Sequence, residues 1–203
     1  MCCLGVLGAI GDLRAEGLAT NATPLPEWLT GPRTAWGGET NGLRAGLVWN
    51  DSSSKLGVTV LVLTFQTNTA WRYVAPPGKN FLKLELRDAQ GVLLAPIKGK
   101  ELNGDLPRRI RTDDLPHSPS AGIHNAGMIE NWLMLPPGLP DRLRDFFLQD
   151  VYKIEREGDY TLTVFPALYE FAADRKTVSR IDLLPVTIKL HLAPSEAATK
   201  KEK

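Results

Sequence analysis

The sequence predicts an all-β protein: a two-sheet antiparallel sandwich of about seven to nine strands with one long loop region. Short runs of alternating apolar and polar residues recur along the middle of the chain, as in strands with one buried face. Turn residues separate these runs at short spacing, and no amphipathic helices of the βαβ kind lie between them. This pattern is typical of a sandwich or a barrel.

Five segments have strand-like sequences. Residues 58–65 are the most apolar and β-branched, which predicts a central strand. Residues 81–88 alternate regularly, end at the turn 89–91 and resume at Val92, which predicts a hairpin. The remaining strands are predicted over residues 43–47, 160–165 and 184–192, with Pro185 tolerated only at a strand start or edge.

The chain opens with an apolar run that contains its only cysteines, Cys2 and Cys3. The run, which ends at Ile10, has the length of a signal-peptide core and is too short to span a bilayer. We predict a signal peptide over residues 1–19, with cleavage after Ala15 or Ala19, and an extracytoplasmic location, periplasmic or secreted. The positive charges that usually precede such a core are missing, so a buried N-terminal strand or helix is the alternative.

The rest of the chain divides into three parts. Residues 20–40 are rich in Thr, Pro, Gly and Trp and are predicted to form an extended linker that Trp28 and Trp36 hold to the core surface. The sandwich domain is predicted over residues 41–194, and a disordered polar tail over 195–203. A chain of 203 residues fits one such domain.

Composition and motifs limit the possible functions. The 24 basic and 23 acidic residues are interleaved, so no basic face is indicated and nucleic acid is not an expected partner. The sequence lacks a Rossmann fingerprint, a P-loop, a His-Glu-x-x-His pair and a Gly-x-Ser-x-Gly motif. We therefore predict no catalytic residue, no cofactor and no transmembrane segment.

One segment, residues 139–151, fits two structures. Pro140 followed by Asp141 would begin a helix well, and the period of two is irregular here. The apolar residues lie at helical spacing: Leu139, Leu143, Phe146, Phe147 and Val151.

Two stretches of sequence resemble known proteins. Residues 147–164, FLQDVYKIEREGDYTLTV, resemble the corner between strands E and F of bacterial immunoglobulin-like sandwiches. Residues 36–47, WGGETNGLRAGL, are similar to the opening of uncharacterised exported proteins of planctomycete-type bacteria. The resemblance implies an immunoglobulin-like fold in an exported bacterial protein, although the paired cysteines of antibody domains are missing. It also implies a strand within residues 139–151 and a tyrosine corner at Tyr160, whose hydroxyl would bond to upstream backbone.

The long loop region, residues 97–135, is where a binding site is expected, because loops between sandwich strands carry binding groups on a rigid frame. Weak candidates for metal ligands are Asp113, Asp114, His117 and His124. No ligand spacing recurs among them, so a solvated loop with isolated histidines is the simpler interpretation.

Aromatic residues are the better candidates for ligand contact. Trp71 and Tyr73 follow a predicted strand end, and Trp132 lies in the long loop region. Exposed aromatic rings can stack on a sugar or anchor a protein partner, whereas buried ones belong to the core.

Three functions are compatible with the sequence. The first is a non-catalytic binding or scaffold domain that contacts another protein or a carbohydrate polymer through its loops or an exposed sheet edge. The second is a peptidase inhibitor that presents stiff proline-glycine loops at residues 75–79 and 135–138. The third is a metal-dependent enzyme that uses the loop at residues 113–124.

Overall fold

The computed structural model describes residues 24, 25, 27–50, 55–66, 72–74, 82–102, 107–114, 132, 133 and 135–194. Within these ranges the chain forms eleven strands, of which eight have six or more residues. The strands are β1 (Thr34–Thr40), β2 (Leu43–Asn50), β3 (Gly57–Thr64), β4 (Tyr73–Val74), β5 (Leu82–Asp88), β6 (Arg109–Arg111), β7 (Trp132–Leu133), β8 (Asp141–Phe147), β9 (Gly158–Phe171), β10 (Thr177–Asp182) and β11 (Val186–Leu192). One helical turn, α1 (Leu148–Val151), and two 3-10 turns at Glu27–Leu29 and Thr112–Asp114 complete the described elements.

Two antiparallel sheets form a sandwich, which confirms the predicted fold class. The first sheet has the order β1-β2-β3-β8. The second sheet is built on the 14-residue strand β9, whose first half pairs with β5 and β11 and whose second half pairs with β10 and β4. β6 continues this sheet beyond β10, and β7 continues it beyond β4.

The strand pairings follow a known order. β2, β3 and β8 pair as strands A, B and E do in immunoglobulin domains, and β5, β9 and β11 pair as strands C, F and G do. β3 lies between β2 and β8, as expected of the most apolar segment. The predicted hairpin after β5 is short: Asp88 and Leu94 donate backbone hydrogen bonds to Val92 and Leu86.

Alternating residues from both sheets make the core. In β9, Tyr160, Leu162 and Val164 are buried and alternate with partly exposed residues, as the sequence pattern predicted. β11 buries alternate residues from Val186 to Leu192 against the same core. Burial of this kind stabilises by roughly 25 cal/mol for each Å² of apolar surface removed from water.

Two tyrosines fix the crossover from the first sheet to the second. The Tyr160 hydroxyl, at the start of β9, donates a 2.8 Å hydrogen bond to the carbonyl of Arg156, which is the bond of a tyrosine corner. The Tyr152 hydroxyl donates a 3.0 Å bond to the carbonyl of Leu84 in β5, and burial raises the pKa of Tyr152 to about 12.

The ambiguous segment is a strand followed by one helical turn. β8 pairs with β3 over Asp141–Phe147, and α1 follows over Leu148–Val151. The register shifts at Leu143, because Arg144 lies opposite Val60 and Arg142 lies opposite Leu61. Leu143 is the extra residue of a β-bulge, and the bulge places apolar residues three apart, as in a helix.

The sandwich begins earlier than predicted. Residues 34–40, assigned to the linker from sequence, form β1 and pair with β2. All seven residues of β1 are partly buried, so no alternation marks the strand in the sequence. The tight turn at Asn41 and Gly42, both with positive φ, joins β1 to β2 as a two-residue hairpin.

Trp36, itself part of β1, holds the chain that precedes the strand. Its indole N–H donates a 2.8 Å hydrogen bond to the carbonyl of Leu29, and its ring covers Gly46 of β2. A Cβ atom added at Gly46 would lie 2.6 Å from Cε3 of Trp36.

This close approach yields a stability prediction. Gly46→Ala should lower the free energy of unfolding by about 1–3 kcal/mol. The added methyl group would overlap the Trp36 ring, and because Trp36 belongs to a paired strand, the ring can shift only by disturbing the packing around it. Gly57→Ala is the matched control in β3, since its added Cβ would meet nothing closer than 3.6 Å. Urea denaturation of both variants measures the difference, and equal midpoints would contradict the role of Trp36.

Candidate functional site

β8 lies at the end of the first sheet. Within the described ranges it pairs only with β3, and its other edge, called here the open edge, faces away from the sheet. In an immunoglobulin sandwich, strand D pairs with strand E at this position. The backbone N–H and C=O groups at the outer edge of an end strand are the groups that strand addition uses.

Three polar side chains on the outer faces of β8 and β3 are joined by hydrogen bonds. Asp145 accepts a 2.7 Å hydrogen bond from the Thr59 hydroxyl and a 2.8 Å bond from Nη1 of Arg142. The side chains of Arg142 and Asp145 remain 68% and 49% exposed. The two charges are therefore held in place at the open edge while still available to a partner.

An aromatic side chain lies at the end of the same face. Phe147 is 47% exposed, and its ring lies over Gly57 of β3. Nζ of Lys55 lies 5.8 Å from the ring centroid and forms a 2.6 Å ion pair with Asp150. Phe147 is thus an exposed apolar group supported by its own sheet.

A cleft of about 800 Å³ adjoins β8 and is the larger of two prominent clefts among the described residues. β2, β3, β8, α1 and the segment 99–102 contribute its walls. Aromatic and charged side chains line it together, including Trp49, Phe146, Phe147, Arg142, Arg144 and Glu101. Such a cleft can hold apolar side chains of a bound chain while its rim makes polar contacts.

The smaller cleft, of about 600 Å³, lies on the second sheet beside His191. Nδ1 of His191 lies 2.9 Å from Oδ1 of Asp159, and Nε2 lies 3.4 Å from Oε1 of Glu157. An imidazole that donates from both nitrogens is protonated. Hydrogen bonds to Asp159, and then to Glu157, accordingly raise the pKa of this exposed histidine.

The predicted metal ligands do not come together among the described residues. Asp113 is 80% exposed in its side chain and lies 3.4 Å from Nη2 of Arg111. Asp114 ends a 3-10 turn, but its side chain, like His117 and His124, lies outside the described part of the chain. Across the side chains that are described, no three His, Cys, Asp or Glu residues are grouped as a metal site would require.

The predicted aromatic contacts fall in three places. Tyr73 is 1% exposed and belongs to the core, so its ring offers no face to a ligand, contrary to its selection from sequence as an exposed aromatic. Trp132 lies in β7 and pairs with Val74 of β4, and its side chain is not described. Trp71 lies outside the described residues.

Of the two stiff loops predicted from the sequence, only the second is described. Residues 75–79 lie outside the described ranges. In the second loop the Gly138 N–H bonds to the carbonyl of Thr64, and the Leu139 N–H bonds to the carbonyl of Pro136. This turn is anchored to β3, and Leu139 at its end is 51% exposed.

Sequence reasoning missed the residues that the structure brings together. His191 and Asp159 are 32 positions apart and meet only because β11 pairs with β9. The roles of Arg142, Asp145 and Phe147 depend on β8 being an end strand, which no local pattern reveals.

No helix in the described ranges is long and apolar enough to cross a membrane. No protein-family model, curated protein or solved structure matches the chain.

The histidine cluster yields a pH prediction. Because the folded-state pKa of His191 is raised, its stabilising contribution is complete below the unfolded value and is lost as pH rises through the folded value. His191→Gln should therefore reduce the free energy of unfolding more at pH 5.5 than at pH 8.5. Asp159→Asn should weaken the same pH dependence, and a destabilisation independent of pH would contradict the ion pairs.

Proposed function

We propose that this protein is an exported, non-catalytic binding domain that contacts another protein through the open edge of β8 and the adjoining cleft. The exposed ring of Phe147 beside the cleft is the observation that carries the proposal. Export is inferred from the apolar run at residues 1–10 and from the resemblance to exported bacterial proteins.

Strand addition is the mode of recognition that this arrangement favours. An extended segment of a partner would bond its backbone to β8, and these bonds would supply affinity with little dependence on sequence. Alternate side chains of that segment would point to opposite faces of the enlarged sheet. Those on one face would meet Arg142, Asp145 and Phe147, which would supply specificity.

The exposed Phe147 gives the site an apolar anchor. Aromatic residues contribute a large share of binding energy at protein interfaces when a partner covers them. Its support by Gly57 and Lys55 reduces the conformational freedom that binding would otherwise remove. A protein partner could bond to the backbone of β8 and also cover the Phe147 ring, whereas a polysaccharide would contact only the ring.

A capture experiment tests the proposal. The chain without residues 1–19 is immobilised and exposed to the extracytoplasmic fraction of its source, with Phe147→Lys as the test variant. Leu93→Lys is the control, because Leu93 is 50% exposed and does not line the cleft beside β8. We expect Phe147→Lys to reduce capture of a specific protein at least tenfold, since a charge would have to be buried.

Retention of the captured protein by Phe147→Lys would contradict the proposed site. Capture of a polysaccharide in place of a protein would contradict the proposed class of partner. Circular dichroism of each variant shows that the fold is retained.

A further inference from the structure

The pairing of β5, β9 and β11 brings a row of three polar side chains together. Arg87 of β5 and Lys189 of β11 both lie opposite Thr161 of β9, one on each side of it. Side chains of directly paired residues point to the same face of a sheet, with their Cβ atoms about 5 Å apart. Thr161 alternates with the buried residues Tyr160 and Leu162, so the row lies on the outer face of the second sheet.

The same three side chains line the cleft of about 600 Å³ on this sheet. Among the described residues, neither the Lys189 ammonium nor the Thr161 hydroxyl has a hydrogen-bonding partner. The Arg87 guanidinium is held in place, because Nη1 donates to the carbonyl of Gly91 and Nη2 donates to Glu85. A guanidinium has five N–H donors, so three remain for a ligand. Two cations and a hydroxyl, from three adjacent strands, thus offer donors to one cleft.

Two nearby acids are engaged within β5 and the turn that follows it. Glu85 lies between Lys83 and Arg87 and forms ion pairs of 2.8 and 3.2 Å with them. Oδ1 of Asp88 accepts bonds of 3.0 and 2.8 Å from two backbone N–H groups of the turn. One carboxylate is therefore shared by two cations, and the other is bonded to backbone.

His191 controls the charge of the remaining wall. When protonated, it donates to Asp159 in β9 and to Glu157 just before that strand. The cleft is then lined by three cations, Arg87, Lys189 and His191, and by two carboxylates, Asp88 and Asp159, which leaves a single net positive charge. Loss of the proton from His191 removes that charge.

The donors and the charge together indicate the class of ligand. A sulfate monoester carries one negative charge, and its three terminal oxygens can accept hydrogen bonds from Arg87, Thr161 and Lys189, one to each. A carboxylate has the same charge but only two oxygens. A phosphate monoester takes up a second negative charge near neutral pH, which the carboxylates of the cleft would oppose.

We propose that the cleft on the outer face of β5, β9 and β11 binds the sulfate group of a sulfated ligand through Arg87, Thr161 and Lys189, and that protonation of His191 strengthens this binding. The site shares no residue with the cleft beside β8. It therefore adds a second binding function to the protein contact proposed above.

A titration of the full chain with methyl sulfate tests the site. In the ¹⁵N-labelled protein, the amide shifts of Arg87, Thr161 and Lys189 should change and saturate. Lys189→Gln and Thr161→Val should each raise the dissociation constant roughly threefold or more, because each removes a hydrogen bond to the sulfate. Lys153→Gln is the control, since it removes the same charge from an exposed lysine outside the cleft, and it should leave the dissociation constant unchanged.

The pH dependence of the same titration tests the role of His191. Methyl sulfate keeps one negative charge between about pH 5.5 and pH 8.5, and among the groups named around the cleft only the histidine titrates in this range. Affinity should therefore fall as pH rises. His191→Gln should show at pH 5.5 the weaker affinity that the wild type has at pH 8.5, and Asp159→Asn should strengthen binding at pH 8.5.

Three results would overturn the site: amide shifts that do not saturate, equal dissociation constants for Lys189→Gln and Lys153→Gln, or acetate or methyl phosphate bound as tightly as methyl sulfate. An affinity that does not change with pH would overturn the role of His191. Capture of a protein through Phe147 is judged separately, because that residue lies on the first sheet.

Discussion

The pairing of β9 with four other strands is the constraint on which the second sheet depends. Its first half holds β5 and β11, and its second half holds β4 and β10, so a single strand joins two groups of pairings. Pro166 lies between the last residue paired with β11, Val164, and the first paired with β10, Ala167. A proline without an N–H is tolerated at this change of partner on that side of the strand.

The tyrosine corner connects that strand to the open edge. The segment between β8 and β9 must carry the chain from one sheet to the other, and the hydroxyls of Tyr152 and Tyr160 bond it to β5 and to its own backbone. β8 itself is held by its pairing with β3. The crossover that follows it is held to the second sheet by the bond from Tyr152 to Leu84.

The sequence predicted the strands whose pattern agrees with their environment. β3, β5, β9 and β11 alternate or are largely apolar. β3, β5 and β11 were located within two residues, whereas β9 was predicted to end at residue 165 and continues to Phe171. β1 was not predicted, because every residue in it is partly buried and its glycines carry no side-chain pattern. The same limit applies to the site, since cross-strand neighbours such as His191 and Asp159 become apparent only when the sheet order is known.

The bulge at Leu143 explains both the ambiguity of the sequence and the character of the edge. A single extra residue breaks the period of two, which makes 139–151 resemble a helix when read locally. The same residue reverses the order of faces after it. A regular strand of seven residues would place Arg142 and Asp145 on opposite faces, where they could not bond to each other. The feature that obscured the strand is thus the feature that brings these two side chains together on the outer face of β8.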